Sequence, residues 1–499
     1  MATTSTKHVV LFPFPGQGHL AAFLQVARLL RRALPGDVKI TIVSTPRNVA
    51  ALRASSSASA SSYVIGFHAL PFVPADHGLP AECESTSSLL PPEFLILFEA
   101  FESLEPAFDA YVSGLVEHKD ECVVIADTFV AWTVRVARRR RCGHAILVSC
   151  GALGTAILYA LWKNMPALPF QDDGQLLRLP EHPEVVLHRS QLLQAFVSGP
   201  SPGINRVTAY MHRQIRHGYL TDAVLVNTVE ELEPTGLAMV RRTLGSKIPA
   251  WPIGALVRDG SGSEMAPSET DAAVMRWLDS QQKASVLYIS FGSQNSILPK
   301  QMMELATALE STGRPFIWAF RPPMGFDVDG GEECLPKGFE ARARAASRGL
   351  LLHGWAPQVR ILAHGSTGAF LSHCGWNSVL ESLTHDVPII GWPLSAEQFY
   401  NVKMLAEEWG ACVELTRGND PKSPVAESRE VAEVIETVMG DTAMRRRVLE
   451  VREVMRKAWA EDGGSSRTAL GEFFTSMNLV LRTGDGDGKL FGRAAPLHG

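Results

Sequence analysis

Short apolar runs alternate along the chain with longer stretches whose apolar residues recur every three or four positions. Runs near 8–13, 39–44, 63–69, 121–126, 144–149 and 223–227 predict strands, and amphipathic stretches between them, such as 20–34 and 128–140, predict helices. That alternation argues for a parallel sheet covered by helices on both faces. Residues 258–270, "RDGSGSEMAPSET", are polar, rich in glycine, serine and proline, and without period, and read as a linker. The alternation then resumes, with "SVLYISFGS", "PFIWAFR", "GLLLHGW", "GAFLSHCG", "PIIGWP" and "ACVEL" as strands of a second α/β domain. Helix-like segments over 427–439, 441–460 and 466–481 follow, and "RTGDGDGKLFGRAAPLHG" predicts a disordered end. "SSSASASS", 55–62, is a low-complexity loop. The pattern thus divides the chain into an α/β domain over 1–257, a linker over 258–270, a second α/β domain with closing helices over 271–482, and a tail over 483–499. Two such domains set the C-terminal ends of their strands across a shared cleft, where ligands bind in sheets of this kind.

Composition narrows the classes. The 499 residues suffice for two full cores. Lys and Arg total 47 against 52 Asp and Glu, a net charge of −5, which is no footprint for nucleic acid. The seven cysteines (Cys83, Cys122, Cys142, Cys150, Cys334, Cys374, Cys412) are odd in number and scattered, so a reducing, cytoplasmic setting fits better than a disulfide framework. The start, "MATTSTKHVVLF", lacks the pattern of a signal peptide. The uncharged run "AILVSCGALGTAILYALW", 145–162, is broken by Ser149, Gly151 and Gly154, so it reads as a buried strand followed by a helix and not as a membrane span. "RRRR", 138–141, reads as a helix end with Gly143 as the stop. A monomer is expected.

Two stretches carry candidate chemistry. Gly16-Gln17-Gly18-His19-Leu20-Ala21 fits the loose dinucleotide pattern G-x-G-x-x-G/A. That reading needs an acidic residue after the second strand, which runs instead into Ser44-Thr45-Pro46-Arg47. Arg47 could meet a 2′-phosphate, which leaves an NADP-dependent oxidoreductase as an alternative. The second stretch, 355–398, is "WAPQVRILAHGSTGAFLSHCGWNSVLESLTHDVPIIGWPLSAEQ". In it His373 follows a strand at the opening of a helix, where free N–H groups and the helix dipole suit a diphosphate. Asn377, Ser378 and Glu381 share one face of that helix, and a carboxylate one turn deeper can accept two ribose hydroxyls. Trp355 offers a flat apolar face, with Gln358 in reach. Taken singly, Trp355 reads rather as a core aromatic and His373-Cys374 as a chance pair or half a metal site.

As a whole, residues 355–398 resemble the signature box of plant family 1 UDP-sugar glycosyltransferases. They open with W-A-P-Q, which includes Trp355, Ala356 and Gln358. They contain H-C-G-W-N-S-x-x-E, with His373, Trp376, Asn377, Ser378 and Glu381, and close with P-L-x-x-E-Q at Glu397 and Gln398. The resemblance extends from "GQGH" through "SFGS" to the closing helices. Ala22 stands where the family often has proline, and His385-Asp386 replaces the usual residues before Val387-Pro388. The resemblance implies the GT-B fold, two Rossmann-like domains facing across a cleft with C-terminal helices packing back. It implies UDP-glucose as donor co-substrate, with no cofactor and no metal. In these roles Trp355 would stack on uracil, Gln358 would meet ribose or base edge, Glu397, Gln398 and Trp376 would contact the hexose, and Ser293 of "SFGS" would touch the diphosphate. A simple strand-end turn explains Ser293 as well. Glutamine at the last position usually accompanies glucose. Asp327-Val328-Asp329 has the form of a manganese-binding D-x-D but lies in a glycine-rich polar stretch and reads as solvated.

Transfer of a sugar to an alcohol or phenol needs a base, and histidine is suited to that near neutral pH. His19 opens a helix, whose positive end is expected to keep the imidazole unprotonated, with Gly16 and Gly18 bringing backbone close and leaving room for an acceptor. Asp127, at a strand end, reads either as a helix N-cap or as the carboxylate behind the histidine, and the resemblance favours the second. Phe14, Phe94, Phe98, Phe101, Trp132 and Leu153 are expected to line an apolar acceptor pocket with Gly18. The expected activity is inverting transfer of glucose from UDP-glucose to a hydroxyl or carboxyl of a flavonoid, other phenolic or terpenoid. Use of UDP-galactose, UDP-xylose or UDP-rhamnose and non-catalytic binding of a UDP-sugar are the other readings.

Overall fold

The computed structural model describes residues 6–56, 65–90, 93–117, 120–164, 175–197, 201–258, 269–322, 334–418 and 425–479. Residues 259–268 of the expected linker, Asp327 to Asp329, the expected tail and most of the serine-rich loop lie outside them.

In chain order the strands are β1 (Lys7–Phe12), β2 (Lys39–Ser44), β3 (Gly66–Ala69), β4 (Glu121–Asp127), β5 (Gly143–Val148), β6 (Leu176–Leu179), β7 (His182–His188), β8 (Ala223–Val226) and β9 (Ala250–Pro252). The second half adds β10 (Val286–Ser290), β11 (Phe316–Ala319), β12 (Gly349–Leu352), β13 (Thr367–Ser372), β14 (Ile389–Gly391) and β15 (Cys412–Glu414). Two parallel sheets result, ordered β3-β2-β1-β4-β5-β8-β9 and β12-β11-β10-β13-β14-β15. Helices cover both faces, so central strands such as β4 and β13 are buried along nearly their whole length, and their sequences are continuous apolar runs. In each sheet the strand order reverses once, between β1 and β4 in the first and between β10 and β13 in the second. Such reversals open a crevice at the carboxyl ends of the strands. The stretch at Gly16 follows β1 there, and His373 of the second stretch follows β13.

The predicted strands and long helices are found, with local differences. The expected helix over 128–140 divides into a 3₁₀ turn at Thr128–Val130 and a helix at Thr133–Arg140. Its stop is Arg141, in the left-handed conformation at φ 56°, and Gly143 instead begins β5. The run 145–162 is β5 followed by the helix Ala152–Asn164. No described helix is long and apolar enough to cross a membrane. The antiparallel hairpin β6–β7 and the short edge strand β9 carry too few alternating residues to stand out in the sequence.

The closing helices Ser428–Gly440 and Thr442–Lys457 pack on the second half, and the last helix, Ser465–Ser476, returns to the first. There the Trp251 indole N–H of β9 donates to Glu472 at 3.0 Å and its ring meets Phe473 edge-on. One apolar cluster runs from β5 and β8 through the helix Ala152–Asn164 into Trp376, Phe399 and Tyr400. The two halves therefore share a core beneath their cleft.

Candidate active site

His19 lies in the first turn of the helix Gln17–Ala33, just after β1. A Cβ on Gly16 would stand 3.0 Å from the His19 ring, so glycine there leaves the imidazole its place. Asp127 ends the neighbouring strand β4, and its Oδ2 is 2.6 Å from His19 Nδ1. Its Oδ1 accepts the Phe129 N–H at 3.0 Å, so one carboxylate both caps the following turn and backs the histidine. Ser149, just past β5, puts its hydroxyl 3.1 Å from the same Nδ1. Burial depresses the imidazole pKa, but the Asp127 charge and hydrogen bond, with Glu397 beyond, outweigh it, and the net shift is upward. That direction is opposite to the one expected from the helix end. The charge of a carboxylate in contact exceeds the partial charge of a helix terminus.

Around the ring stand Phe14 at 5.4 Å and Phe129 at 5.5 Å between centroids, with Phe98 against both and Phe101 behind Phe14. Phe98 and Phe129 are half-buried, as is Phe94 at the start of its helix. Two expected pocket residues, Trp132 and Leu153, lie in the core. Trp132 is fully buried between Phe12 and Phe108, and Leu153 is buried with its N–H on Glu233, so both support the cleft from within the core. Gly18 stays at the cleft beside His19, where its carbonyl accepts the Asn377 side-chain amide of the second half at 3.0 Å.

In the second half, Ser293 follows β10 and His373 follows β13, on either side of the strand-order reversal. Gly292 has φ 82°, and a Cβ there would approach His373 Nε2 to 2.6 Å, so glycine meets both a steric and a backbone demand. Burial lowers the His373 pKa to about 4, and its Nδ1 is without a hydrogen-bond partner among the described residues. The Ser293 carbonyl takes a hydrogen bond from Arg321. Glu381 is 1% exposed and accepts Gln358 Nε2 at 2.8 Å and Arg258 Nε at 2.5 Å. The Gln358 amide also reaches Ser378 and takes the Tyr288 hydroxyl. Trp355 is 65% exposed, which excludes a core role, while Ala356 beside it is buried. The Trp376 indole is buried and committed to the Asn227 carbonyl of the first half at 2.6 Å, so that side chain joins the halves, while its backbone N–H points to Glu397 at 3.4 Å. Gln398 is also buried, with its amide oxygen accepting the Leu394 and Ser395 N–H groups. Burial raises the Glu397 carboxyl pKa, with His19 acting against it.

No group of three or more His, Cys, Asp or Glu among the described residues could hold a metal ion. Sequence reasoning missed Ser149, Phe129, Asn227, Glu233 and Arg258. None of them lies in a spacing pattern that marks it, and only the folded chain brings them to the cleft.

The arrangement offers a base backed by a carboxylate on one side of the cleft and a helix N-terminus with a ribose-type acceptor on the other. Comparison with known proteins is consistent with that. The chain is 37% identical to UDP-glycosyltransferase 92A1 of Arabidopsis thaliana over 93% of its own length and 96% of that protein's. The chain belongs to the UDP-glycosyltransferase family. The family model for "UDP-glucoronosyl and UDP-glucosyl transferase" matches residues 230–456 of this glycosyltransferase, and that for "Glycosyltransferase, N-terminal domain" matches 6–187. Crocetin glucosyltransferase 3 of Crocus sativus is 36% identical over 92% of this chain and 96% of its own. Among solved structures, Medicago truncatula UGT71G1 complexed with UDP-glucose superposes with a TM-score of 0.78 at 27% identity, covering 95% of this chain and 98% of that one. Glycyrrhiza uralensis UGT73P12 gives 0.80 at 28%, covering 95% and 96%. The glycosyltransferase thus has the GT-B fold of two Rossmann-like domains.

Proposed function

We propose that this glycosyltransferase transfers glucose from UDP-glucose, with inversion, to a hydroxyl of a small apolar phenolic or terpenoid acceptor. The observation that carries this is the apposition of His19 and Asp127 with the His373 helix terminus, joined where Asn377 meets Gly18. In this reading Asp127 holds the Nδ1 proton of His19, and Nε2 takes the acceptor proton. The acceptor oxygen bonds to the anomeric carbon as the bond to UDP breaks and the diphosphate leaves with the electron pair. Attack opposite the leaving group turns an α-linked donor into a β-glucoside. Residues 1–257 hold the acceptor, with Phe98, Phe129 and Phe94 as apolar walls, and 271–482 hold the donor. Trp355 stacks on the base, Glu381 takes the ribose hydroxyls, and His373, Ser293 and the helix N-terminus take the diphosphate. Glu397 meets the hexose, together with Gln398 through its amide nitrogen. The phosphate charge needs no metal in this scheme, and the protein acts as a cytoplasmic monomer.

The test is to mix the purified protein with UDP-glucose, UDP-galactose or UDP-xylose and a panel of phenols and terpenoid alcohols, with and without EDTA. A β-glucoside formed fastest from UDP-glucose, with EDTA making no difference, is expected. Donor binding with no transfer to any acceptor would leave a UDP-sugar binder instead, and activity lost in EDTA and restored by manganese would overturn the metal-free scheme.

A further inference from the structure

Arg258 stands where the first half ends, beyond β9, and its guanidinium crosses to the second half. Its Nε donates to Glu381 Oε1 at 2.5 Å, and the pair is unevenly buried, Glu381 almost wholly and Arg258 about two-thirds. The other carboxylate oxygen takes Gln358 Nε2 at 2.8 Å. A carboxylate so deeply buried is costly to leave without a partner, and a cation in contact offsets that cost. Three titratable or charged groups face Glu381: Arg258, the Tyr288 phenol and His385 on its own helix. Burial pushes the Tyr288 phenol up and His385 down, so neither is charged near neutrality. Of the three only Arg258 supplies positive charge. Each carboxylate oxygen has two lone pairs, so Arg258 and Gln358 occupy one position on each and leave one free for a further donor.

We propose that Arg258 is a donor-positioning residue that pairs with Glu381 and fixes its direction, so that the carboxylate can accept the ribose hydroxyls of a UDP-sugar. This rests on the reading of Glu381 given above. The consequence is that the residue leading into the interdomain connection governs donor affinity without touching the reacting atoms.

The experiment compares Arg258→Met, Arg258→Lys and Glu381→Ala by calorimetry with UDP and by steady-state kinetics. For Arg258→Met the KM for UDP-glucose should rise about tenfold or more, with kcat and the acceptor KM little changed. Arg258→Lys should recover part of the loss, because an ammonium restores the positive charge without the planar fork of the guanidinium. A lower donor KM in Arg258→Met would mean that the arginine obstructs the site. A fall in Tm with donor KM unmoved would make it a structural strut. Either result overturns the proposal. If Glu381→Ala leaves UDP affinity intact, the ribose reading itself fails; if Glu381→Ala weakens UDP and Arg258→Met does not, only the role of Arg258 fails.

Discussion

His19 Nδ1 and Asp127 Oδ2 are 2.6 Å apart although 108 residues separate them in the chain. The strand before His19, β1, and the strand that Asp127 ends, β4, are adjacent in the sheet, with Phe12 paired to Ala126, so the helix start after β1 and the end of β4 meet in the same crevice. A base held this way should show unequal losses on substitution. His19→Ala should lower kcat by roughly 10²–10⁴ while UDP affinity stays near normal, and Asp127→Ala should cost less. Phenols acidic enough to be ionised already should tolerate both changes far better than aliphatic alcohols. A loss uniform across phenols of graded pKa would reduce His19 to a wall of the pocket.

The same pair sets the acid limb of activity. The His19 pKa is net raised, since Asp127 and Glu397 outweigh burial, and the base works only when neutral. kcat/KM should therefore fall as pH drops through a value above 6.5, the ordinary value for histidine. Asp127→Asn removes the charge that raises the pKa, so its acid limb should move to lower pH even as the plateau falls. A pH–rate profile of both enzymes checks this, and an unmoved or upward-shifted limb would assign the titration to another group.

His373 titrates in the opposite sense. Burial lowers it to about 4, so the free enzyme holds it neutral, and its Nδ1 has no partner among the described residues. A diphosphate at that site favours the imidazolium, so UDP-glucose binding should draw in a proton and tighten as pH falls toward the His373 range. Calorimetry in buffers of different ionisation enthalpy measures that uptake. It should vanish in His373→Asn, along with about tenfold or more of the affinity; uptake persisting in that variant would place the proton elsewhere.

Gly292 offers a structural counterpart. With φ 82° and its missing Cβ only 2.6 Å from His373 Nε2, Gly292→Ala must displace the ring or the loop. Stability should drop by about 1–3 kcal/mol, with a loss of UDP affinity close to that of His373→Ala. Because alanine at 373 removes the ring that the methyl strikes, the double variant should lose less than the sum of the singles. Strict additivity would show that the glycine serves the backbone alone.

Two parallel sheets, their strand runs and the candidate donor stretch were legible in the sequence because each rests on local signals. Buried parallel strands need continuous apolar runs, and residues three or four apart, such as Asn377, Ser378 and Glu381, must share a helix face. The candidate base and its carboxylate were legible as types at strand ends. The fold decided what lies around them. Arg141 took the helix stop from Gly143 by adopting the left-handed conformation, a choice made by a single residue's backbone. Trp132 and Leu153 went to the core, and Trp376 to the Asn227 carbonyl, because a large apolar residue near a cleft can face either way and packing on the far side chooses. The electrostatic sign at His19 likewise came from Asp127 and Glu397, which approach it from β4 and from the other half of the molecule. Sequence spacing fixes which residues share an element; long-range contacts between elements, and the pKa values they set, exist only once the chain has closed on itself.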